Sequence, residues 1–159
     1  MSVVFREMRA DEVDAVATMV QGLARDIGAS VVPRLTGAVL SANRDLIDVE
    51  VADDGGRLIG ACLTLMTFST WRGARGAYVV DLFVESAVRG RNIGLLLLRH
   101  SAARAALRGA TFIKLEVDRS NDGAARFYRR LGFAQKDEDR LFVLEHDKLE
   151  AFVKGKETQ

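Results

Sequence analysis

Arg89, Gly90, Arg91 and Gly94 place two glycine backbones and two permanent positive charges just ahead of four consecutive leucines, residues 95–98. The start of a helix exposes N–H groups that lack partners and carries a partial positive charge. Glycine lets an anion come close to such a main chain, so phosphate or pyrophosphate is the guest this turn suits. On the turn alone, a glycine-softened connection from strand to helix stays equally open. Two familiar phosphate loops are absent, since the chain holds neither G-x-x-x-x-G-K-[ST] nor G-x-G-x-x-G.

Periodicity supplies the elements that must hold this turn. VVFREMR reads as a short strand, and Asp11 is placed to cap a helix over residues 12–25. Its apolar face is Val13, Val16, Ala17, Val20 and Leu23 or Ala24, with Asp14 and Arg25 in water. Residues 28–33 break that helix, and a weaker one follows over 35–43. Residues 48–52, the turn DDGG and residues 57–68 predict an antiparallel hairpin. A second turn, WRGARG, leads to a strand over 78–85, where Trp71 and Tyr78 suit either cross-strand packing or the lining of a cleft. After the glycine-arginine turn come a helix over 92–108, the strand TFIKLEV, the helix DGAARFYRRL and a last strand near 140–144. In the first of these helices Ile93, Leu97, Ser101 and Ala105 make a buried stripe, with Gly94, Leu98 and Ala102 beside it. His100, Arg104 and Arg108 make a solvated basic face, on which His100 is a surface residue and not a ligand. Helices before and after an antiparallel core predict layered α/β (α+β) architecture.

Composition narrows the class. A chain of 159 residues fits one domain, and a formal charge of +1 argues against bulk attraction to nucleic acid or an anionic membrane. No apolar run approaches the roughly 20 residues of a membrane span, and acids stand where a signal peptide would be apolar. The expectation is a cytoplasmic protein without nucleic-acid or membrane partners. Cys62, the single cysteine, lies in LIGACLTLM and reads as a small buried hydrophobe; with two histidines it cannot build an ordinary zinc site.

The turn gains meaning beside NDGAARFYRRLGF, one strand and one helix downstream. The pattern R-x-x-G-x-G/A falls on Arg89 to Gly94, with Asn92 in place of its first glycine. The pattern N-x-x-A-x-x-x-Y-x-x-x-G-F fits Asn121, Ala124, Tyr128, Gly132 and Phe133 without a gap. This ordered pair resembles the GNAT superfamily of acetyl-CoA-dependent N-acyltransferases over nearly the whole chain. The resemblance implies a GNAT fold: a mixed, mostly antiparallel sheet of six to seven strands flanked by about four helices, splayed between the fourth and fifth strands. It implies one domain over 1–154 with a flexible tail at 155–159, acetyl-CoA as cosubstrate and no metal.

The same resemblance assigns residues. Leu82, Phe83 and Val84 would hold the pantetheine arm through their backbone, with the Val84 N–H serving the oxyanion. Arg89, Gly90, Arg91, Asn92, Ile93, Gly94 and Leu95 would cradle the pyrophosphate, and Asn121, Ala124 and Phe127 would complete the coenzyme site. Tyr128 matches the tyrosine that protonates the departing thiolate in relatives; by itself it reads as a helix aromatic with its hydroxyl in solvent, and Asn121 as a helix cap. Asp81 and Glu85 are candidates to take the amine's proton. They would share a face in an unbroken strand, although Asp81 equally reads as a buried structural acid and Glu85 as an exposed strand end.

At Asn92 two readings stay open: a left-handed backbone, for which asparagine is the least costly substitute, or bare backbone against the pyrophosphate, which asparagine would crowd. FSTWRGARGAYVVDLFVESAVRG and DRLFVLEHDKLEAF look like the diamine and polyamine acetyltransferase branch. Val80 stands where that branch often has the first of two acids, and the loop IGASVVPR is not acidic, so a polycationic acceptor lacks counter-charge along this strand. The resemblance implies a small-molecule primary amine as acceptor; a protein or peptide amine, and a non-catalytic coenzyme A-binding module, are the alternatives. Homodimers are common in the family, and an apolar C-terminal strand permits one here.

Overall fold

Alternating apolar residues build one five-stranded sheet. Its strands are β1 (Val4–Glu7), β2 (Asp48–Asp54), β3 (Arg57–Ser69), β4 (Ala74–Val84) and β5 (Ala110–Leu115), in spatial order β1-β2-β3-β4-β5. The first four run antiparallel to their neighbours, while β5 lies parallel to β4. The helices are α1 (Val13–Asp26), α2 (Gly37–Ala42), α3 (Ile93–Leu107), α4 (Asp122–Arg130) and α5 (His146–Val153). A computed structural model describes residues 2–156; of the tail expected at 155–159, residues 157–159 lie outside them. The chain forms two compact units, Met1–Asp118 and Arg119–Gln159. Among the described residues no helix is long and apolar enough to cross a membrane.

Within the first unit the DDGG turn closes the β2–β3 hairpin. Gly55 and Gly56 both have positive φ, as a two-residue hairpin turn that follows strand twist requires. One face of the sheet buries Val49, Val51, Ala61, Leu63 and Phe83 against Val16, Met19 and Val20 of α1 and Leu40 of α2. On the other, Ala52 and Ile59 meet Val88 and Ile93. The α3 stripe is buried as expected at Ile93, Leu97, Leu98, Ser101 and Ala105. Because α3 carries the chain from β4 to its parallel neighbour, its N-terminus is held at the end of β4. Cys62 is a buried free thiol, pushed up to about 11 by burial, in keeping with an inert core residue.

Three expectations are corrected. The sheet has five strands, not six or seven: residues 140–144 form no strand, and Leu141, Phe142, Val143 and Leu144 are exposed before α5, a helix not foreseen. A run of β-favouring residues forms a strand only where a partner edge meets it. Asp11 does not cap α1; it sits inside a 3-10 turn, Ala10–Glu12, and Glu12 occupies the cap position. Arg104 and Arg108 of the basic stripe of α3 are exposed, as expected, and are also paired. Arg108 pairs with Asp48, and Arg104 Nε lies 2.6 Å from Glu50 Oε1. His100 is likewise drawn onto the sheet, with Nε2 2.9 Å from Glu50 Oε2. Both contacts to Glu50 are ion-pair approaches outside hydrogen-bond alignment.

Candidate functional site

The sheet forks beside β4. Its pairing with β5 ends at Val79↔Leu115, yet β4 continues to Val84. A strand residue directs its N–H and C=O to the same edge, and successive residues alternate edges. The Glu85 N–H donates to the Ile59 carbonyl on the β3 side, whereas the Val84 carbonyl accepts from Arg89 Nε at 3.0 Å. The Val84 N–H, and by the same alternation that of Leu82, therefore points into the opening where β5 has left. Phe83 turns its ring into the core, where Gly22 makes room: a Cβ there would stand 3.3 Å from the ring.

A bulge sets which side chains look into that opening. Leu63 pairs with Asp81, but the adjacent Thr64 pairs with Val79, so Val80 is an extra residue. Leu63 and Leu65 share a face of β3, and their partners Asp81 and Tyr78 must share it too. Without the extra residue, positions three apart would face opposite ways. Burial pushes the Asp81 carboxyl up to about 6. The Tyr78 hydroxyl is pushed up chiefly by burial and next by the negative charges of Glu116 and Asp81, while Lys114 Nζ lies 5.9 Å over its ring. Glu85 lies beyond β4 and is bound by Arg57 at 2.6 Å. Trp71 is 99% exposed at the hairpin tip and, among the described residues, packs on no aromatic ring.

The turn after β4 is built from left-handed residues. Gly90 has φ 83° and Asn92 has φ 60°, ψ 15°. Asn92 thus adopts the backbone that glycine favours, and asparagine tolerates it better than most residues. Its side chain does not cap α3, whose first intrahelical bond runs from the Leu96 N–H to the Asn92 carbonyl at 3.0 Å. The N–H groups of Ile93, Gly94 and Leu95 are therefore the unspent donors of the helix start. Arg89 is partly committed, pairing with Asp26 at the end of α1 as well as bonding Val84. Arg91 is exposed. A pyrophosphate fits such a turn, with bare backbone at Gly90 where nothing lies within 4 Å of a would-be Cβ.

In the second unit the other motif resolves into two helix caps. Asn121 Oδ1 accepts the Ala124 N–H at 3.1 Å, which leaves the amide nitrogen as a donor. At the far end the Phe133 N–H bonds the Tyr128 carbonyl and the Gly132 N–H bonds the Arg129 carbonyl, with Gly132 at φ 93°. This is a Schellman closure, whose accompanying apolar contact is the Tyr128–Phe133 edge-to-face pair at 5.4 Å. Phe127 flanks Tyr128 at 5.1 Å. The spacing Y-x-x-x-G-F is thus the geometry of a helix end that fixes the tyrosine ring.

Sequence reasoning passed over Glu116 and Lys114. Their place beside Tyr78 depends on the parallel register of β4 and β5, for which no local pattern exists.

An open mixed sheet forked beside its fourth strand, with an anion-receptive turn at that strand's end, defines the architecture. The family model for the acetyltransferase (GNAT) family matches residues 32–133, and the chain belongs to that family. Streptothricin acetyltransferase of Streptomyces lavendulae is 39% identical over 69 residues, covering 43% of this chain and 35% of that protein. Thialysine N-epsilon-acetyltransferase of Bos taurus is 32% identical over 75 residues, 47% of this chain and 44% of that protein. The chain spans less than half the length of these curated relatives. An integron cassette protein from the mobile metagenome of V. cholerae shares the fold, with a TM-score of 0.78 at 21% identity over 97% of this chain and 99% of that one.

Proposed function

We propose that the chain is an N-acetyltransferase moving the acetyl group of acetyl-CoA to a primary amine of a small molecule by direct attack. The observation that carries this reading is the fork: β4 presents unpaired N–H groups beside a half-buried carboxyl, then runs into the left-handed turn at the start of α3. Membership of the GNAT family supports acetyl-CoA as donor, and the names of the streptothricin and thialysine relatives support a small amine as acceptor. No role for a metal enters this chemistry.

Acetyl-CoA supplies the activated acetyl carbon. The turn at residues 89–95 binds the diphosphate, and the N–H groups of Leu82 and Val84 orient the pantetheine arm. Attack by the amine forms the new C–N bond while the Val84 N–H donates to the developing oxyanion. Asp81 takes the proton the amine sheds, directly or through water; Glu85, tied to Arg57, is the less suited of the two candidate bases. The C–S bond then breaks, and the Tyr128 hydroxyl donates a proton to the departing thiolate. A phenol can donate a proton to a thiolate. The reading is of a cytoplasmic enzyme, a compartment in which a lone thiol such as Cys62 stays reduced.

A calorimetric titration with acetyl-CoA, followed by amine-dependent release of free coenzyme A, tests the reading. Saturable one-to-one binding is expected, with Tyr128→Phe keeping that affinity while losing about 10²-fold or more in turnover. Failure to bind at millimolar cofactor would remove the coenzyme assignments, and unchanged turnover in Tyr128→Phe would remove the acid.

A further inference from the structure

Asp26 is the last residue of α1, where the helix end carries a partial negative charge that an acid side chain opposes. It has no capping task there. The helix is closed by its own backbone: the Ile27 N–H donates to the Leu23 carbonyl at 3.1 Å, the Gly28 N–H to that of Arg25 at 3.1 Å and the Ala29 N–H to that of Ala24 at 2.9 Å. Among the described residues the Asp26 carboxylate bonds Arg89 alone. An acid at the unfavourable end of its helix is thus directed at the first residue of the glycine-arginine turn.

Arg89 is held twice along one edge of its guanidinium. Nε donates to the Val84 carbonyl at 3.0 Å, and Nη2 donates to Asp26. The two contacts differ in kind. The Val84 carbonyl is the backbone at the end of β4, so by itself it keeps the guanidinium beside the left-handed turn. What Asp26 adds is an anion on a cation that the turn offers to a diphosphate, in a pair whose side chains are 48% and 38% exposed. A pair that open to water is weak, and a phosphate, with more charge and two oxygens for the guanidinium fork, can displace a carboxylate from it.

We propose that Asp26 is an anionic placeholder for the coenzyme's diphosphate: it occupies Arg89 until the coenzyme binds and then yields it, so that α1 sets coenzyme affinity. This rests on the acetyl-CoA reading and adds to that site a residue 63 positions upstream of Arg89. Whatever the coenzyme must give up to take Arg89 from Asp26 is returned when the acid is removed. The anchor on Val84 survives that removal, so the guanidinium stays where the turn needs it. Binding also unties the last turn of α1 from the turn that follows β4.

The test is calorimetric acetyl-CoA affinity in the wild type, Asp26→Asn, Arg89→Gln and the double variant. Asp26→Asn should bind about two- to fivefold more tightly than the wild type, the range of one exposed ion pair. Arg89→Gln should bind more weakly, and in that background Asp26→Asn should change affinity by less than about twofold. A substitution that merely disturbed α1 would lose affinity, so the gain separates this role from a structural one. Unchanged or weaker binding by Asp26→Asn would overturn the proposal, as would wild-type affinity in Arg89→Gln. An undiminished Asp26→Asn gain without Arg89 would overturn it too, since Asp26 would then act as a repelling charge and not through Arg89. If the wild type binds acetyl-CoA and Asp26→Asn gains nothing, the coenzyme reading stands and this one falls; if the wild type does not bind, both fall.

Discussion

At position 92 an asparagine adopts the left-handed backbone that glycine adopts at position 90. Asparagine bears some steric cost there that glycine does not, and its side chain makes no capping bond that a glycine would forfeit. Asn92→Gly should therefore bind acetyl-CoA as tightly as the wild type or up to a few-fold more tightly, measured by calorimetry; a clear loss of affinity would mean that the Asn92 side chain itself touches the coenzyme. Asp81 makes a pH prediction. Burial raises its carboxyl from the usual 3.8 to about 6, so it is protonated below that value and able to accept a proton above it. Amine-dependent kcat/KM should rise through pH about 6, and Asp81→Asn should flatten that limb. The sign for stability is the reverse: the favourable contribution of the protonated acid is complete below pH about 4 and lost as pH rises through about 6. Much at this scale was legible, because the motif glycines and Asn121 have local backbone reasons to be what they are. Asp81 was legible as an acid and Tyr78 as a candidate for the cleft, but not that the two share a face, since one inserted residue at Val80 reverses the alternation between them.

The docking of α3 depends on a buried carboxylate. Glu50, 1% exposed on β2, meets Arg104 and His100 of α3, while Arg104 also reaches Glu7 of β1 at 3.3 Å and Arg108 reaches Asp48. Burial holds the Glu50 carboxyl above its ordinary value, against the pull of Arg104 and His100; Glu7 adds to the rise. A raised acid favours the folded state while protonated, and that advantage fades as pH climbs through its folded value. Thermal melts of Glu50→Gln and wild type should therefore diverge with pH, the variant gaining relative to the wild type from acid toward neutral. A difference that stays flat would show that the two cations of α3 fully neutralise the burial cost. Helical periodicity identified the apolar stripe of this helix, since that stripe follows from spacing alone. It could not identify the purpose of the basic stripe, because its partners are on β1 and β2, which reach α3 only through the fold.

On the scale of the molecule, the order of strands and helices through β5 and α4 was readable from alternation, turn chemistry and motif order. The exceptions share a cause. Residues 140–144 have strand composition, yet a strand is completed by a neighbour's hydrogen bonds, and the structure gives this segment none. The fork was expected only through the family resemblance, because no local pattern marks it: β4 remains an apolar run where its neighbour departs.

The β3–β4 hairpin tip has a spectroscopic consequence. The protein's only tryptophan, Trp71, is bathed in water in the native state, so its emission already resembles that of an unfolded chain. Fluorescence is then a poor witness to unfolding but a clean one to anything that covers this tip: a blue shift on adding a ligand would report contact at the hairpin, undisturbed by signal from a core indole.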